Sequence, residues 1–474
     1  MFTRDELIEA ADTQPVGSEL PPHFSGAAID SRMVQPGELF VALRGQATDG
    51  HRFIGSAVRA GASAILCAEQ NEEATALGVP QVIVSDPLAT LHRLAQRHLM
   101  RQPHTRVISI TGSNGKTSTK DATALLLGRL APTLKTEGNL NTETGVPVTL
   151  LRLKPEHQFA VIEMGAQWVG EIEALCKIAP PDITIVTVVG PEHLEFFGSM
   201  EGVIQAEGEA VEALRADGVA VLNDDDPAVH EMAKRTPARV VTYGHRPGAM
   251  VRAEDVAGDV LRGQRFTLAH GERRAPVNLH MPGRHAVTTA LAAAAVALTC
   301  GLDIGTAASS LSEIRPAKRR GEIKMAIGGA TLVDDTYNAN RQSAEAALDL
   351  LRRAAVENDG KRWFVFGDML ELGTYSRDEH AAVGRAAASA VDELVLVGAD
   401  VAATAEAALA AGMAPERVHL YAASLDDKPR LAEARLAAAS FVRERLSPHD
   451  VILVKGSLGV GMDAVVAELL ETAT

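Results

Sequence analysis

Cysteine and positive charge are both scarce in this sequence, and each shortage excludes a class of protein. The three cysteines, Cys67, Cys176 and Cys300, lie far apart and form no metal-spaced pair. We therefore exclude a disulfide scaffold and a zinc site, and we interpret them as core thiols in a reducing compartment. The chain has 46 Lys and Arg against 61 Asp and Glu, which gives a net charge of −15. Because a polyanion would be repelled, we expect no nucleic-acid partner.

The sequence also lacks a long hydrophobic run. The longest apolar stretch, 286–302, is mostly alanine, includes threonines and is shorter than the roughly 20 residues that cross a bilayer. The first residues include Arg4, Asp5 and Glu6, where a signal peptide would need an apolar core. These features predict a cytoplasmic protein with no stable membrane insertion.

Apolar runs alternate with helical periodicity from Arg106 onward, which is typical of parallel strands joined by crossover helices. A second series of this kind begins near Ala330. We therefore predict an α/β fold with a mostly parallel central sheet and a C-terminal domain of Rossmann type. With 474 residues the chain has room for about three domains. We place a small N-terminal α/β domain with little helix at 1–104, a central domain at 105–315 and the C-terminal domain at 316–474.

Within these domains the pattern predicts individual elements. In the central domain we expect a helix at 116–130, turn-punctuated strands between 250 and 280, an Ala-rich helix at 284–299, and strands at 106–110, 159–162, 183–188, 219–222 and 240–242. In the C-terminal domain we expect strands at 331–333, 363–366, 394–397, 418–421 and 451–454.

The strongest motif is Gly112-Ser113-Asn114-Gly115-Lys116-Thr117, between a predicted strand and a predicted helix. Glycines let consecutive backbone N–H groups point at phosphate oxygens, and the helix N-terminus adds positive potential. The motif predicts an ATP site in which Lys116 holds the β- and γ-phosphates and the Thr117 hydroxyl binds Mg²⁺. The loop is shorter than the common nucleotide-binding pattern, because Ile110 stands where its first glycine would be. An ordinary turn is the alternative interpretation.

Ligand-type side chains follow the neighbouring predicted strands. Glu163 closes one of them, and others follow the next strand or lie on the helix after it: His193, Glu195, Glu207 and Glu209. Because the carboxyl ends of parallel strands meet at one sheet edge, we expect these side chains to converge beside the phosphate loop. Divalent cations would bind there, although each side chain could instead be a solvated strand or helix end. Mg²⁺ prefers oxygen ligands, so chemistry alone favours the carboxylates over His193.

A run of polar, turn-forming residues, 334–340, closes a strand of the last domain. Asn and Asp at such a position often only cap the next helix, so the run has no function on its own. Taken with the other motifs, however, it completes a pattern that extends along the whole chain.

That pattern resembles the Mur ligases. The resemblance is carried, in chain order, by Asp30-Ser31-Arg32, 36–43, Asp49-Gly50-His51, the phosphate loop, Gly138-Asn139-Leu140-Asn141, Gly145-Val146-Pro147, 163–166, His193-Leu194-Glu195, 335–340, 367–373, His380 and Lys455-Gly456-Ser457. It implies an N-terminal domain for a UDP-sugar, a central ATPase domain and a C-terminal domain that closes over the site with the amine substrate.

The resemblance also implies the reaction and its participants. ATP would activate the carboxylate of UDP-MurNAc-tripeptide as an acyl phosphate, and D-alanyl-D-alanine would attack it, with Mg²⁺ as the metal and peptidoglycan synthesis as the pathway. The α-amine has an ordinary pKa of about 8, so we name no catalytic base. We expect the ligase to be a monomer.

The roles that the resemblance implies fall on specific residues. The catalytic residues would be Lys116, Glu163 and His193. The nucleotide would be bound by Gly112, Ser113, Asn114, Gly115, Lys116, Thr117, Ser118, Asp335, Asn338 and either Arg319 or Arg320. The metal would be bound by Thr117, Glu163, His193 and Glu207. The other substrates would be bound by Ser31, Asp49, His51, Asn139, Asn141 and Asn340.

Three positions depart from the family pattern. Many relatives carry a lysine, whose carbamate supplies a carboxylate to the second metal, where this chain has Glu207. We hypothesise that Glu207 supplies its own carboxylate. Ala286 stands where an asparagine follows Gly-Arg-His in relatives, which puts the adenine contact in doubt. Leu458 stands where an arginine is common after Lys455-Gly456-Ser457, which weakens the assignment of amine contacts to that loop.

Other functions stay open at this point. The sister ligase that adds the third amino acid usually carries an Asp-Asn-Pro-Arg type of motif, and none occurs between Gly367 and Gly398. Folate polyglutamylation is a further alternative, but 30–51 fits a UDP-sugar domain instead. A switch that hydrolyses ATP only to change shape would also need Lys116, but no acceptor would stimulate its turnover. The sequence does not distinguish diaminopimelate from lysine as the third residue of the accepted peptide.

Overall fold

The structure is a computed structural model, and it describes residues 1–45 and 48–470. Its N-terminal elements are β1 Phe2–Thr3, α1 Arg4–Ala11, β2 His23–Phe24, β3 Ala27–Ala28, β4 Leu39–Val41, α2 Ile54–Arg59, β5 Ala64–Cys67, α3 Glu72–Ala76, β6 Gln81–Ile83 and α4 Pro87–Met100. Strands β3 to β6 form a parallel sheet in chain order, and β1 pairs with β2 antiparallel. Helix α4 starts where it does because Asp86 accepts a hydrogen bond from the N–H of Ala89 and Pro87 is preset for the first turn.

The central elements are β7 Arg106–Thr111, α5 Lys116–Leu127, β8 Thr133–Lys135, α6 Gly145–Leu150, β9 Phe159–Glu163, α7 Glu171–Ile178, β10 Ile183–Val186, α8 Leu194–Phe197, α9 Met200–Glu212, β11 Val219–Asn223, α10 Pro227–Glu231, β12 Arg239–Gly244, β13 Val251–Asp259, β14 Gly263–His270, β15 Arg273–Leu279, α11 His285–Thr299 and α12 Ile304–Leu311. The strands form a nine-stranded sheet of order β15-β14-β13-β12-β11-β10-β7-β9-β8. Strands β7 to β12 are parallel, and the hairpins β13-β14 and β14-β15 are antiparallel.

This strand order determines the location of the site. Strand β7 lies between β9 and β10, and all three are parallel. Their carboxyl ends, Thr111, Glu163 and Val186, therefore meet at one edge of the sheet, where ligands bind in open α/β folds. Helix α11 packs against α5 and is buried along almost its whole length, which its many alanines permit.

The C-terminal elements are β16 Glu322–Met325, β17 Thr331–Asp335, α13 Arg341–Arg353, β18 Arg362–Gly367, α14 Ser376–Ala387, β19 Glu393–Val397, α15 Ala402–Ala410, β20 Val418–Tyr421, α16 Lys428–Arg443, β21 Val451–Lys455 and α17 Asp463–Leu469. The sheet order is β16-β17-β21-β18-β19-β20, parallel except for β16. Asp335 and Lys455 are register partners at the carboxyl ends of β17 and β21.

The α/β class and the mostly parallel central sheet predicted from the sequence are confirmed. Two predicted elements run two or more residues past the end that the structure shows. Helix α5 stops at Leu127 rather than 130, because the chain turns at Gly128. Strand β10 stops at Val186 rather than 188, because the Thr187 hydroxyl turns inward and donates to the carbonyl oxygens of Thr111 (3.1 Å) and Asn114 (2.7 Å). Over the residues that the structure describes, every helix falls short of the length and apolarity that a bilayer span requires.

Candidate active site

Two adjoining cavities lie where the central and C-terminal domains face each other. The large cavity, about 630 Å³, is bordered by the phosphate loop, the ends of β9 and β10, and the C-terminal segments 337–343, 370–372 and 457–459. The small cavity, about 300 Å³, is bordered by the phosphate loop, α11 and α13. Asn114, Gly115 and Arg320 border both cavities. The predicted phosphate loop therefore lies at the junction of the two.

The phosphate loop has the backbone shape that its glycines permit. Gly112 has a φ of +123°, and a Cβ there would lie 2.1 Å from the Thr187 hydroxyl oxygen. Gly115 has a φ of +81° immediately before α5 begins. Ser113 fixes the loop on its other side, because its hydroxyl donates to the Gly190 carbonyl oxygen (3.0 Å) and accepts the Gly190 N–H (2.9 Å). Any larger residue at position 112 would displace the loop.

Thr117 and Glu163 lie together at the end of β9. The Thr117 hydroxyl donates to Glu163 Oε1 (3.2 Å), and Asn141 Nδ2 donates to the same oxygen (3.0 Å). Glu163 Oε2 is buried and has no hydrogen-bond partner among the residues described, although Lys120 Nζ lies 3.7 Å away. A buried carboxylate oxygen without a hydrogen bond is costly, and it suits a hard divalent cation that takes oxygen ligands. The residues present therefore fit Mg²⁺.

Lys116 is folded back onto its own loop. Its ammonium donates to the carbonyl oxygens of Gly112 (2.5 Å) and Ser113 (3.4 Å) and pairs with Glu192 Oε1 (3.1 Å). Glu192 was not predicted as a site residue. The signal that could have identified it is its position directly before His193, in the segment that follows β10. Lys116 thus has a carboxylate partner inside the large cavity.

The charges around Lys116 are mostly negative. Burial alone would lower the pKa of Lys116, but the carboxylates of Glu192, Glu207 and Glu163 raise it above its ordinary value. Glu207 is 3% exposed, and its Oε2 accepts a hydrogen bond from the Thr111 hydroxyl (2.5 Å). Burial raises the pKa of Glu207 to about 7, against the opposing effect of Lys116. Three carboxylates, Glu163, Glu192 and Glu207, therefore surround Lys116, and Lys120 is a second lysine beside Glu163.

His193 connects the central and C-terminal domains. It has a φ of +50°, and its Nδ1 is hydrogen-bonded to Glu371 from the motif 367–373. Burial would lower the pKa of His193, but this hydrogen bond and the nearby carboxylates raise it overall. The hydrogen bond from His193 lowers the pKa of Glu371. Both residues border the large cavity.

The predicted convergence of acidic side chains is only partly correct. The Glu195 side chain is exposed and borders neither cavity. Glu209 accepts the N–H groups of Gly170 (2.7 Å) and Glu173 (3.0 Å) at the start of α7, so it caps a helix and is not at the site. Within 1–45 and 48–470, no group of three or more His, Cys, Asp or Glu side chains is arranged to hold a metal ion. A cation beside Glu163 would therefore need further oxygen ligands from the nucleotide or water.

In the C-terminal domain, Asp335 and Asn338 surround a buried lysine. Lys455 Nζ pairs with Asp335 Oδ2 (2.5 Å) and donates to the Asn338 carbonyl oxygen (2.9 Å). Asp335 and Lys455 border the small cavity, and Asn338 borders the large one. Lys455 therefore holds the end of β17 against the end of β21.

The structure separates the two candidate arginines. The Arg320 guanidinium lies 3.9 Å from the ring centroid of Tyr337 and borders both cavities. Arg319 instead pairs with Asp463 (2.6 Å) and borders neither cavity. Of the two, Arg320 is the one in position to contact a ligand.

Asn340 joins the C-terminal domain to the phosphate loop. It caps α13, and its Nδ2 donates to Asn114 Oδ1 (3.1 Å). Asn114 Nδ2 in turn donates to Gln342 Oε1 (2.8 Å). Gln342 was not predicted as a site residue, because only the approach of the two domains reveals it.

The small cavity is bordered on the central side by His285, Thr288 and Thr289. His285 is exposed at this cavity, and partial desolvation by the surrounding residues lowers its pKa. Ala286 is fully buried in the packing of α11 and does not border this cavity. The signal for His285 was the Gly-Arg-His sequence at 283–285.

The predicted N-terminal substrate residues lie away from both cavities. His51 uses both ring nitrogens within its own domain: Nδ1 lies 2.7 Å from Asp49 Oδ1, and Nε2 accepts the Ala68 N–H (2.9 Å). Ser31 is half-buried, and neither it nor Asp49 or His51 borders either of these two cavities. Asn139 and Asn141, in contrast, border the large cavity. The structure thus brings the two asparagines to the site, but not the three N-terminal residues.

Comparison with known proteins covers the three parts of the chain. The profile described as "Mur ligase family, catalytic domain" matches residues 23–99. The profile "Mur ligase middle domain" matches 110–297, and "Mur ligase, glutamate ligase domain" matches 319–458.

Similar proteins span the chain nearly from end to end. A UDP-N-acetylmuramoyl-tripeptide–D-alanyl-D-alanine ligase of Mycobacterium tuberculosis is 38% identical over 94% of this chain and 92% of its own length. The Escherichia coli protein of the same name is 35% identical over 100% and 99%. A crystal structure of MurF from Acinetobacter baumannii has a TM-score of 0.84 at 30% identity and covers 99% of each chain. A MurF ligase from Thermotoga maritima in complex with ADP has a TM-score of 0.76 at 27% identity, with 94% and 96% covered. The resemblance inferred from the motifs is therefore confirmed, and the chain belongs to the Mur ligase family.

Proposed function

We propose that this chain joins D-alanyl-D-alanine to UDP-MurNAc-tripeptide while it converts ATP to ADP and phosphate. Support comes from relatives that carry this ligase name and align over nearly the whole chain. The observation that carries the proposal is the position of Lys116 and the unpartnered Glu163 Oε2. Both residues border a cavity of about 630 Å³ that is large enough for reacting groups from the domains around it.

ATP occupies both cavities in this proposal. The adenosine lies in the small cavity beside His285 and Thr289, and the triphosphate follows the phosphate loop to Lys116. Ser118 and Asp335 border the small cavity, and Arg320 lies where the two cavities join. Thr117 and Glu163 hold Mg²⁺, which neutralises charge on the β- and γ-phosphates.

The residues around the large cavity position the groups that react. A carboxylate becomes a good electrophile when the γ-phosphoryl group is transferred to it, and the amine then attacks the acyl phosphate and releases phosphate. The transfer needs in-line alignment and charge neutralisation more than covalent help from the protein. Lys116 supplies positive charge at the phosphates, and Asn139 and Asn141 supply amides for the tripeptide end of the substrate. His193 borders the large cavity, whereas Glu207 borders neither cavity and acts on Lys116 from its buried position beside Thr111.

The remaining assignments follow from the same proposal. Residues 1–104 bind the UDP moiety, 105–315 bind ATP and 316–474 bring in the amine. Ser31 contacts the UDP moiety at the surface of the N-terminal domain, while Asp49 and His51 hold the turn beside it through their mutual hydrogen bond. The protein acts in the cytoplasm as a monomer.

Phosphate release tests the function directly. With ATP, Mg²⁺ and UDP-MurNAc-tripeptide present, release should depend on added D-alanyl-D-alanine, and mass spectrometry should detect the pentapeptide product. Turnover that is indifferent to both substrates would instead support a nucleotide-driven switch. Lys116→Ala should lower ligation by about three orders of magnitude, because it removes a preorganised charge from the phosphates. Lys177→Ala, an exposed lysine on α7, is the matched control and should behave like the unaltered protein.

A further inference from the structure

Glu192 is a buried carboxylate at the large cavity, and its partner Lys116 is expected to turn away from it when phosphate binds. It is 7% exposed, and its Oε1 lies 3.1 Å from Lys116 Nζ. The other hydrogen bonds of this ammonium go to the carbonyl oxygens of Gly112 and Ser113. The amine that is expected to contact phosphate is therefore held by its own loop and by Glu192.

The charges of the site do not balance once Lys116 turns to a phosphate. Glu163, Glu192 and Glu207 all act on Lys116. Glu163 is 2% exposed, borders the large cavity and has one oxygen without a hydrogen bond to any residue in 1–45 or 48–470. A triphosphate would add negative charge and draw Lys116 away from Glu192. A buried carboxylate left without its partner is strongly disfavoured, so a positive group has to replace the lysine.

We propose that Glu192 exchanges partners during the reaction: it gives up Lys116 to the nucleotide phosphates and takes a cation in its place. The exchange rests on the proposed nucleotide site, but it does not rest on the ligation reaction. Two cations are available in the proposed reaction, the divalent ion that accompanies ATP and the ammonium group of the amine substrate. Because neither Lys116 nor Glu192 is left unpaired when both ligands are bound, nucleotide and cation bind cooperatively.

Calorimetric titration with a non-hydrolysable ATP analogue tests the exchange without turnover. In EDTA, the unaltered protein must separate Lys116 from Glu192 and leave the carboxylate without its ion-pair partner, whereas E192Q need not. E192Q should therefore bind the metal-free analogue at least about tenfold more tightly. When Mg²⁺ is added, the affinity for the analogue should increase less in E192Q than in the unaltered protein. Glu192→Ala should behave in the same way, which covers the case in which the glutamine amide still holds Lys116.

Glu195→Gln is the matched control, because this exposed carboxylate lies three residues away and borders neither cavity. It should follow the unaltered protein in every titration. If Mg²⁺ removes the difference in analogue affinity between the unaltered protein and E192Q, the divalent ion is the incoming cation. If D-alanyl-D-alanine removes this difference in EDTA, the incoming cation is its ammonium group.

Equal affinity of E192Q, Glu192→Ala and the unaltered protein for the metal-free analogue, at matched melting temperatures, would overturn the exchange. A difference that neither cation removes would overturn it as well. The nucleotide site is tested separately, because Lys116→Ala should weaken binding of the analogue. A protein that passes these titrations but forms no pentapeptide would contradict the proposed ligation and leave the exchange standing.

Discussion

At the scale of single residues, Glu207 gives the clearest chemical expectation. The family pattern implies a lysine that reacts with CO₂ at this position, whereas the carboxylate of Glu207 is itself buried beside Thr111 and Lys116. Activity should therefore be unchanged when bicarbonate is added to a CO₂-depleted assay. A strict requirement for CO₂ would contradict the role that we give to Glu207.

Substitution of Glu207 tests whether its carboxylate contributes to catalysis. Glu207→Gln keeps the shape but removes the charge, so it should lower kcat by about 10- to 100-fold and raise the Mg²⁺ concentration needed for half-maximal rate. Glu201→Gln, an exposed residue on the same helix, should leave both quantities unchanged. Steady-state phosphate release over a Mg²⁺ series measures both effects. A Glu207→Gln protein with unaltered Mg²⁺ dependence would indicate that Glu207 is only a packing residue.

At the scale of single residues, the sequence does not show in which direction a side chain points. Glu163 and Lys116 could be placed because each follows directly from a strand end or a phosphate loop, and the structure puts both at the large cavity. Glu209 lies on the same helix as Glu207, but it points to the start of α7, and residue type alone does not reveal this. Glu192 was missed because its pairing with Lys116 is seen only in three dimensions, although its position directly before His193 was a usable signal.

At the scale of elements, the loop 367–373 carries Glu371 to His193 and is held by residues outside it. His380 Nε2 accepts the N–H of Met369 (3.0 Å), while its Nδ1 lies 2.8 Å from the Ser376 carbonyl oxygen. Ser457 accepts the N–H of Leu370 (3.0 Å). Since His380 borders neither the large nor the small cavity, its part is to position this loop.

His380→Phe should therefore misplace Glu371 without emptying the core. We expect kcat to fall by about tenfold, and the free energy of unfolding by about 1–3 kcal/mol, because the Met369 N–H loses its acceptor. His380→Gln, which can still accept that hydrogen bond, should recover part of kcat. Kinetics and urea unfolding of the two variants check this. If His380→Phe lost stability but kept full kcat, the positioning role would be wrong.

A second element-level prediction concerns helix α1 and its contact with α4. Burial alone would raise the pKa of Glu6, but hydrogen bonds from His98 (3.0 Å) and Thr3 lower it to about 2, below its ordinary 4.5. A carboxyl whose pKa is lower in the folded state stabilises the fold above its ordinary pKa. That contribution should be complete above pH 4.5 and should disappear as the pH falls toward 2.

Glu6→Gln should thus lower the free energy of unfolding by about 1–3 kcal/mol near neutral pH. The difference from the unaltered protein should narrow between pH 4.5 and 2, where Glu6 becomes protonated. Urea unfolding of both proteins at a series of pH values measures this difference in the free energy of unfolding. Glu9→Gln, on the same helix with an exposed carboxylate, should show a much smaller difference. A constant difference at all pH values would mean that Glu6 contributes by packing rather than by charge.

Element positions were largely predictable, and the exceptions have physical causes. Buried parallel strands such as β19 and β21 read as nearly continuous apolar runs, so their positions followed from hydrophobicity alone. The N-terminal domain has more helix than predicted, since α4 alone spans 14 residues behind its Asp-Pro start signal. Between β12 and α11 the expected short strands are hairpins with strands of nine, eight and seven residues, because alternate side chains there are solvent-exposed and break the apolar pattern.

At the scale of the whole molecule, the sequence predicted which domains exist but not how they meet. The contact is made by polar side chains from both sides. On one side Asn114 bonds to Asn340 and Gln342, and on the other Tyr375 donates to the Gly198 carbonyl oxygen (3.0 Å). Such contacts depend on a three-dimensional approach that has no periodicity in sequence. The family resemblance implied closure of the C-terminal domain, and the structure adds the residues that make the contact.

The contact at Gln342 leads to a prediction about closure. Gln342 Oε1 accepts from Asn114 (2.8 Å) and lies so close to Gly190 that a Cβ there would be 2.5 Å from it. Helix α13 therefore rests directly on the phosphate loop, and nucleotide binding and the closed arrangement should stabilise each other. Gln342→Ala should weaken ATP-analogue binding by about 3- to 10-fold, which corresponds to one lost hydrogen bond. It should also increase the radius of gyration measured by small-angle X-ray scattering with the analogue bound.

Arg352→Ala, an exposed residue on the same helix, should change neither quantity. Gly190→Ala is a second probe, because its methyl group would push Gln342 away and should open the domains in the same direction. If Gln342→Ala weakened nucleotide binding but left the radius of gyration unchanged, Gln342 would act only within the phosphate loop. If both variants increased the radius of gyration while the affinity for the ATP analogue stayed the same, closure and nucleotide binding would be uncoupled. A contact that stabilises the closed arrangement without stabilising the bound nucleotide cannot couple the two.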